Sequence, residues 1–284
     1  LDERALKEVV MEVIGREAAM DDCAVIPCRD QFLVASTDML HTATDFPGGM
    51  SDWQIGWMSV AVTLSDIAAM GADPGDILLA VGLDRPLRLR AILEGARACC
   101  STFGARFSGG DLDHHQELTL VSSGIGFASR PVRRTGSQPG DLVGITGIPG
   151  RAQAALCGYR QHEKALFEPW PQVREGKALA GAGVTSMMDV SDGLLISLHD
   201  MLEANSGGYA IETRYLPLPE GVSREEALGY ALEGGGDFGL LFTLPPGAHP
   251  VGGVEYYIIG RVIAGHEVMV DGERKEMAGY QHQW

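Results

Sequence analysis

Met187-Met188-Asp189-Val190-Ser191-Asp192-Gly193-Leu194-Leu195 places two carboxylates and a hydroxyl within four positions, between an apolar lead-in and an amphipathic run. Asp189 reads as the end of an extended segment. Ser191 or Asp192 reads as the cap of a helix that Leu194, Leu198, Met201 and Leu202 continue at helical spacing. Side-chain oxygens beside free N–H groups at a helix start form a setting for metal-bound phosphate. Read alone, Ser-Asp-Gly is no more than a helix N-cap. It gains weight because similar acidic punctuation recurs along the whole chain.

The chain has 284 residues, enough for a real core and for two domains. A hydrophobic fraction of 45%, with Gly 38 and Pro 14, is a globular composition. The formal charge of −16 argues against nucleic acid or an anionic membrane as a partner. Lysine occurs only at Lys7, Lys164, Lys177 and Lys275. An anionic substrate would therefore rest on metal, backbone N–H groups and Arg. The five Cys lack a C-x-x-C pair and read as reduced, mostly buried thiols of a cytoplasmic protein. Neither a signal peptide nor an apolar run of membrane-spanning length is expected.

Leu1 to Arg16 reads as an amphipathic helix. Asp21-Asp22 then precede a β-like run, and adjacent carboxylates repel unless something screens them. The strand from Gln31 ends in Thr37-Asp38, and strand ends are where sites are built. After the Asp45-Phe46-Pro47 loop, a helix from Asp52 to Met70 is apolar almost all round and is expected to be buried. Asp66 lies late in it, where a carboxylate is costly unless paired or metal-bound. Asp76 to Leu83 reads as a buried strand, and Pro86 opens a helix to Phe103. Gly109-Gly110-Asp111 follows a strand, where glycines let backbone N–H groups approach a phosphate. Asp111, Asp113, His114 and His115 look like a transition-metal cluster but suit a solvated loop better. The Arg133 to Asp141 stretch, rich in Arg, Pro and Gly, is the best domain boundary, giving units 1–135 and 136–284. The second unit carries a capping box at Ser223 and a glycine run, Gly234 to Gly236, ahead of Asp237 and a strand.

No P-loop, Rossmann glycine fingerprint or G-x-S-x-G is present. What remains is a dispersed acidic set with glycine loops: Asp21, Asp22, Asp38, Asp66, Asp111, Asp189 and Asp192. Such a set suits several Mg²⁺ ions, which prefer carboxylate, water and phosphate oxygens. Metal bridging a polyphosphate would supply the positive charge that a Lys-poor chain lacks.

Several blocks occur in one order: Asp21-Asp22-Cys23-Ala24, Thr37-Asp38-Met39-Leu40, Leu64-Ser65-Asp66-Ile67-Ala68-Ala69-Met70-Gly71, Gly109-Gly110-Asp111, Arg133-Arg134-Thr135-Gly136, Met188-Asp189-Val190-Ser191-Asp192-Gly193 and Gly235-Gly236-Asp237-Phe238. The series resembles thiamine-monophosphate kinases, in the superfamily that includes aminoimidazole ribonucleotide synthetase. The resemblance spans nearly the whole chain. It implies an N-terminal α/β domain whose sheet pairs with a second subunit, a C-terminal α+β domain, a homodimer, ATP and several Mg²⁺ ions. By position, Asp22, Asp38, Asp66, Asp111, Asp189 and Asp192 fall where that family holds magnesium, and Thr37 adds an oxygen. Gly110, Asp111, Arg134 and Ser191 fall where it holds ATP phosphates, and Phe103 where a ring packs near the adenine. Asp38, Asp66 and Asp192 are the residues expected to carry catalysis. On the acceptor side, Asp45 stands where many members have His, Gly236 where many have Glu, and Thr63 replaces a common Asn. Tyr280 sits near a substrate-stacking aromatic, with Trp284 as its competitor.

The resemblance implies ATP-dependent phosphorylation of thiamine monophosphate to the diphosphate. The alternatives are a superfamily enzyme with another phosphorylated or amide-bearing acceptor, and a non-catalytic nucleotide-binding descendant.

Overall fold

The computed structural model describes residues 3–248 and 253–280. Helix α1 (Glu3–Ile14) leads to strands β1 (Ala24–Cys28) and β2 (Gln31–His41). Helix α2 (Asp52–Ala69), β3 (Asp73–Leu83), α3 (Leu89–Thr102), β4 (Arg106–His114) and β5 (Thr119–Ala128) complete a first layer pair. Its sheet runs β1-β2-β5-β3-β4, antiparallel except for β3 with β4. Period-2 alternation along β5 buries every second residue against α2 and α3 and leaves the other face of the sheet open.

Helix α2 is central because its sequence gives it no polar face. Fourteen of its eighteen residues are buried. It starts at a capping box, in which Ser51 Oγ accepts from the Gln54 N–H at 3.2 Å and Gln54 Oε1 accepts from the Ser51 N–H at 3.0 Å. It ends at Gly71, in the left-handed region at φ +65°, whose N–H donates to Ala68 O. One side of α2 lies on β2 and β5, and another meets α3. Its C-terminal turns meet the second half of the chain.

That half contains β6 (Leu142–Thr146), α4 (Arg151–Leu156), α5 (Glu163–Phe167), α6 (Val173–Gly181), β7 (Ser186–Val190), α7 (Leu194–Ala204) and β8 (Gly208–Ile211). It continues with α8 (Arg224–Glu233), β9 (Gly239–Leu244), β10 (Tyr256–Ile263), β11 (Val268–Val270) and β12 (Glu273–Arg274). The seven strands order as β12-β11-β8-β10-β6-β9-β7, so β7 is an edge. Helix α2 covers that edge, and this explains why all five β7 residues are buried.

The mixed α/β and α+β architecture follows the expected class. Three local readings differ. Gly193, not Ser191 or Asp192, precedes the first turn of α7, at φ +111°, and no side chain caps that helix. Gly109 and Gly110 lie within β4, not after a strand; a side chain at Gly110 would overlap the Leu79 carbonyl of β3, so the pair allows two strands to approach. The helix from Pro86 begins with a 3₁₀ turn and becomes α-helical at Leu89. Among the described residues no helix is long and apolar enough to cross a membrane. Cys23, Cys99 and Cys100 are buried thiols, Cys28 is half-buried and Cys157 is exposed.

Candidate active site

Four carboxylates from four elements converge where α2 meets both sheets. Asp22 comes from the turn before β1, Asp38 from β2, Asp66 from α2 and Asp189 from β7. Carboxylate oxygens of Asp22, Asp66 and Asp189 all lie within 4.8 Å of one another. Neighbouring hydroxyls fix their orientation. Ser36 Oγ donates to Asp66, Ser65 Oγ donates to Asp189 Oδ2 at 2.7 Å, and Thr63 Oγ1 donates to Asp38 Oδ2 at 2.6 Å. Ser65 and Asp66 are consecutive on α2, so one helical turn reaches β7 and β2 together.

Such crowding opposes ionisation. Burial, followed by the charges of Asp38, Asp189 and Asp22, pushes the Asp66 carboxyl well above its ordinary value. Burial and then Asp22 push Asp189 up to about 8. Asp22 and Asp38 are raised in the same direction, burial again leading. The counter-charge is Arg134, whose Nη2 donates to Asp22 Oδ1 at 2.6 Å. Burial works against this guanidinium, but Asp22 and Asp200 hold its pKa above the usual value. The Asp21-Asp22 repulsion is relieved by the Arg pair: Arg133 Nη1 and the Arg134 N–H both donate to Asp21.

Beside this cluster opens a cleft of about 730 Å³. Asp38, Ser191 and Asp192 stand on its wall, with Asp45, Gly236 and Tyr280 around it. Backbone bonds hold that wall together: the Gly236 N–H donates to Ser191 O at 2.7 Å, Phe238 N–H to Val190 O at 3.0 Å and Tyr280 N–H to Asp192 O at 3.1 Å. Asp45 is fixed by the His41 N–H at 2.9 Å and by Thr44 Oγ1 at 2.7 Å. Phe46, Met58, Leu166 and Phe238 give the cleft apolar walls. Its described lining includes four acids, Asp38, Asp45, Asp192 and Glu233, and no Lys, Arg or His. Sequence reasoning missed Glu233, Ser36 and Ser65; their only sequence signal is position beside the acidic blocks.

Residues 20–128 match the family of AIR synthase related proteins, N-terminal domain. A thiamine-monophosphate kinase from Methanospirillum hungatei is 48% identical, with 100% of both chains covered. The chain belongs to the thiamine-monophosphate kinase family. The Halobacterium salinarum thiamine-monophosphate kinase is 38% identical over 99% of this chain and 100% of its own. Among solved structures, the thiamine-monophosphate kinase of Stenotrophomonas maltophilia K279a superposes with TM-score 0.82 at 27% identity, over 95% of this chain and 96% of that one. AaThiL complexed with AMPPCP and TMP shares the fold at TM-score 0.91 and 24% identity, over 100% of this chain and 97% of that one.

Several positions expected from the resemblance to thiamine-monophosphate kinases stand apart from the four-carboxylate cluster within one chain. Asp111 is exposed on β4, three strands from β2 and thus about 14 Å across the sheet. Register places it beside Ala80, on the face away from α2, and Thr37 lies on that face too. Thr37 Oγ1 donates to Ser122 O at 3.1 Å, turned away from Asp38. Gly110 lies in the same edge strand as Asp111. The Phe103 ring packs edge-on against Trp170, centroids 4.7 Å apart, and against Trp57 at 6.0 Å. Trp284 lies outside the described residues.

Proposed function

We infer that this chain transfers the γ-phosphoryl group of ATP to the phosphate of thiamine monophosphate, giving thiamine diphosphate. The convergence of Asp22, Asp66 and Asp189 within 4.8 Å, beside a cleft with acidic and apolar walls, carries the reading. Oxygen-only donors in a buried, mutually repelling set fit Mg²⁺, and Asp22, Asp38, Asp66, Asp189 and Asp192 would hold it. Bound magnesium would supply charge neutralisation between these acids and the phosphates.

The protein's own groups do the positioning. Arg134 offers a guanidinium to nucleotide phosphate while its other edge stays on Asp22. Ser191 lines the cleft, and the start of α7, which no side chain caps, follows it three residues later. Asp192 lies between the carboxylate cluster and the acceptor cleft, next to where an in-line transfer would occur. The acceptor phosphate is anionic at neutral pH and is itself the nucleophile, so no strong general base is needed. The cleft's acids and lack of cations suit an acceptor whose ring is positively charged. Aromatic and apolar walls, with Tyr280 at the rim, suit its flat body.

We propose a homodimer formed over the open face of the five-stranded sheet. Ile26, Met39 and Leu78 leave apolar surface exposed there. A partner lying on that face would bring a second Asp111, with Gly110 in the same strand, toward the first chain. The units 1–135 and 136–284 then act as the pairing half and the closing half.

Asp192→Asn is the test. It should remove turnover, measured as thiamine diphosphate formed, while circular dichroism and melting temperature stay as in the parent. Near-normal turnover would reject the assignment.

A further inference from the structure

We propose that Glu233 is the residue that selects a cationic acceptor ring, acting with Asp45 from the opposite wall. The inference rests on the acceptor reading above and adds to it a residue that no motif marks.

Glu233 is the last residue of α8, exposed where that helix meets the cleft. Two features of its position favour a cation. Its carboxylate lacks an ion pair to any described residue, and the cleft's described lining offers no base that would neutralise it. The C-terminal end of a helix also presents carbonyl oxygens and the negative end of its dipole. Those carbonyls lie close to the reacting wall: a side-chain carbon on Gly193 would sit 3.0 Å from Glu233 O and 3.3 Å from Gly234 O. The negative end of α8 therefore lies beside the segment that holds Ser191 and Asp192, and Glu233 lines the same cleft as those two residues.

Gly236 explains why the acid comes from position 233. It lies in the left-handed region, at φ +90°, and a side-chain carbon there would stand 3.2 Å from Ala152. An acidic side chain at 236 would have to occupy a backbone conformation that favours glycine. Its N–H to Ser191 O bond fixes that conformation. Helix α8 delivers the carboxylate instead, three residues earlier. Across the cleft, the His41 N–H, Thr44 Oγ1 and, at 4.0 Å, the His41 imidazole Nε2 all approach one Asp45 oxygen, Oδ2, which leaves Oδ1 to face a cation.

Two measurements test this. In steady-state assays, Glu233→Gln should raise the KM for thiamine monophosphate about ten-fold, as expected for losing one partly solvated charge partner. The kcat and the KM for ATP should stay within two-fold, and Glu233→Asp should restore much of the loss. In NMR titrations of the full chain, an N-methylated thiazolium should bind the parent more tightly than its uncharged thiazole parent compound. Glu233→Gln should erase that preference. An unchanged KM together with an unchanged charge preference overturns the inference, as does equal weakening of the charged and uncharged probes. If the parent fails to turn over thiamine monophosphate, the acceptor reading falls, and the thiazolium-to-thiazole comparison still decides the role of Glu233.

Discussion

Asp189 is the penultimate residue of a strand in which every residue is buried, and its carboxyl is held up to about 8 by burial and by Asp22. Its folded pKa lies above the unfolded 3.8, so the folded state keeps this proton more tightly. The resulting stabilisation is fully present below the unfolded value and is lost as pH rises through about 8. Asp22, Asp38 and Asp66 shift in the same direction. Chelator-treated protein should therefore lose melting temperature between pH 6 and pH 8.5, with a slope of at most about 1.4 kcal/mol per pH unit for each group. Millimolar Mg²⁺ competes with those protons, so it should raise the melting temperature more at pH 8.5 than at pH 6. A metal-free profile that is flat or rising over this range would contradict the account. These acids were legible in the sequence because a carboxylate in an apolar run is costly and stands out. Glu233 was not, because an exposed Glu on a surface helix, outside any acidic block, carries no local mark of a site.

At the scale of elements, α2 carries the site, and its position depends on glycine. A methyl at Gly56 would overlap the Ile92 carbonyl of α3, and one at Gly95 would overlap the Trp53 carbonyl of α2. Helix propensity alone makes Gly→Ala in a helix interior stabilising by about 1 kcal/mol. Here the overlap is with backbone, which cannot rotate away, so repulsion wins. Gly95→Ala should destabilise by about 1–3 kcal/mol in urea unfolding. A stabilised variant would show that the helices can part at no cost. Helix α2 itself was readable from composition, and its bounds follow the Ser51/Gln54 capping box and Gly71. The α7 cap was misread because Ser191 and Asp192 face the cleft wall, which leaves the helix start to Gly193. Gly109-Gly110 lies inside β4 and not after a strand because glycine marks a close approach of strands as readily as an approach to a ligand.

For the whole molecule, the two sheets meet through α2, and neither half alone assembles the acidic cluster: Asp22, Asp38 and Asp66 come from one and Asp189 from the other. No local pattern could show that β7 is an edge strand lying on α2, since that contact spans more than a hundred residues. The open sheet face adds a prediction about assembly. Leu78→Glu should shift the chain toward monomer in sedimentation velocity and lower activity, while far-ultraviolet circular dichroism stays unchanged. If Asp111 serves the neighbouring subunit, mixing inactive Asp111→Asn and Asp189→Asn proteins under subunit exchange should recover about a quarter of the parental activity, since half the dimers are mixed and each has one intact site. No recovery would assign Asp111 to its own chain's site, and an active Asp111→Asn protein would place it outside the site.

The most direct measurement is transfer of γ-labelled phosphate from ATP in the presence of Mg²⁺ and thiamine monophosphate, with the parent and Asp189→Asn proteins side by side. The account predicts label in thiamine diphosphate with the parent and at least a hundred-fold less with the variant, of the order seen when charge stabilisation of a transition state is removed. Label passing to water, or equal transfer by both proteins, would contradict it.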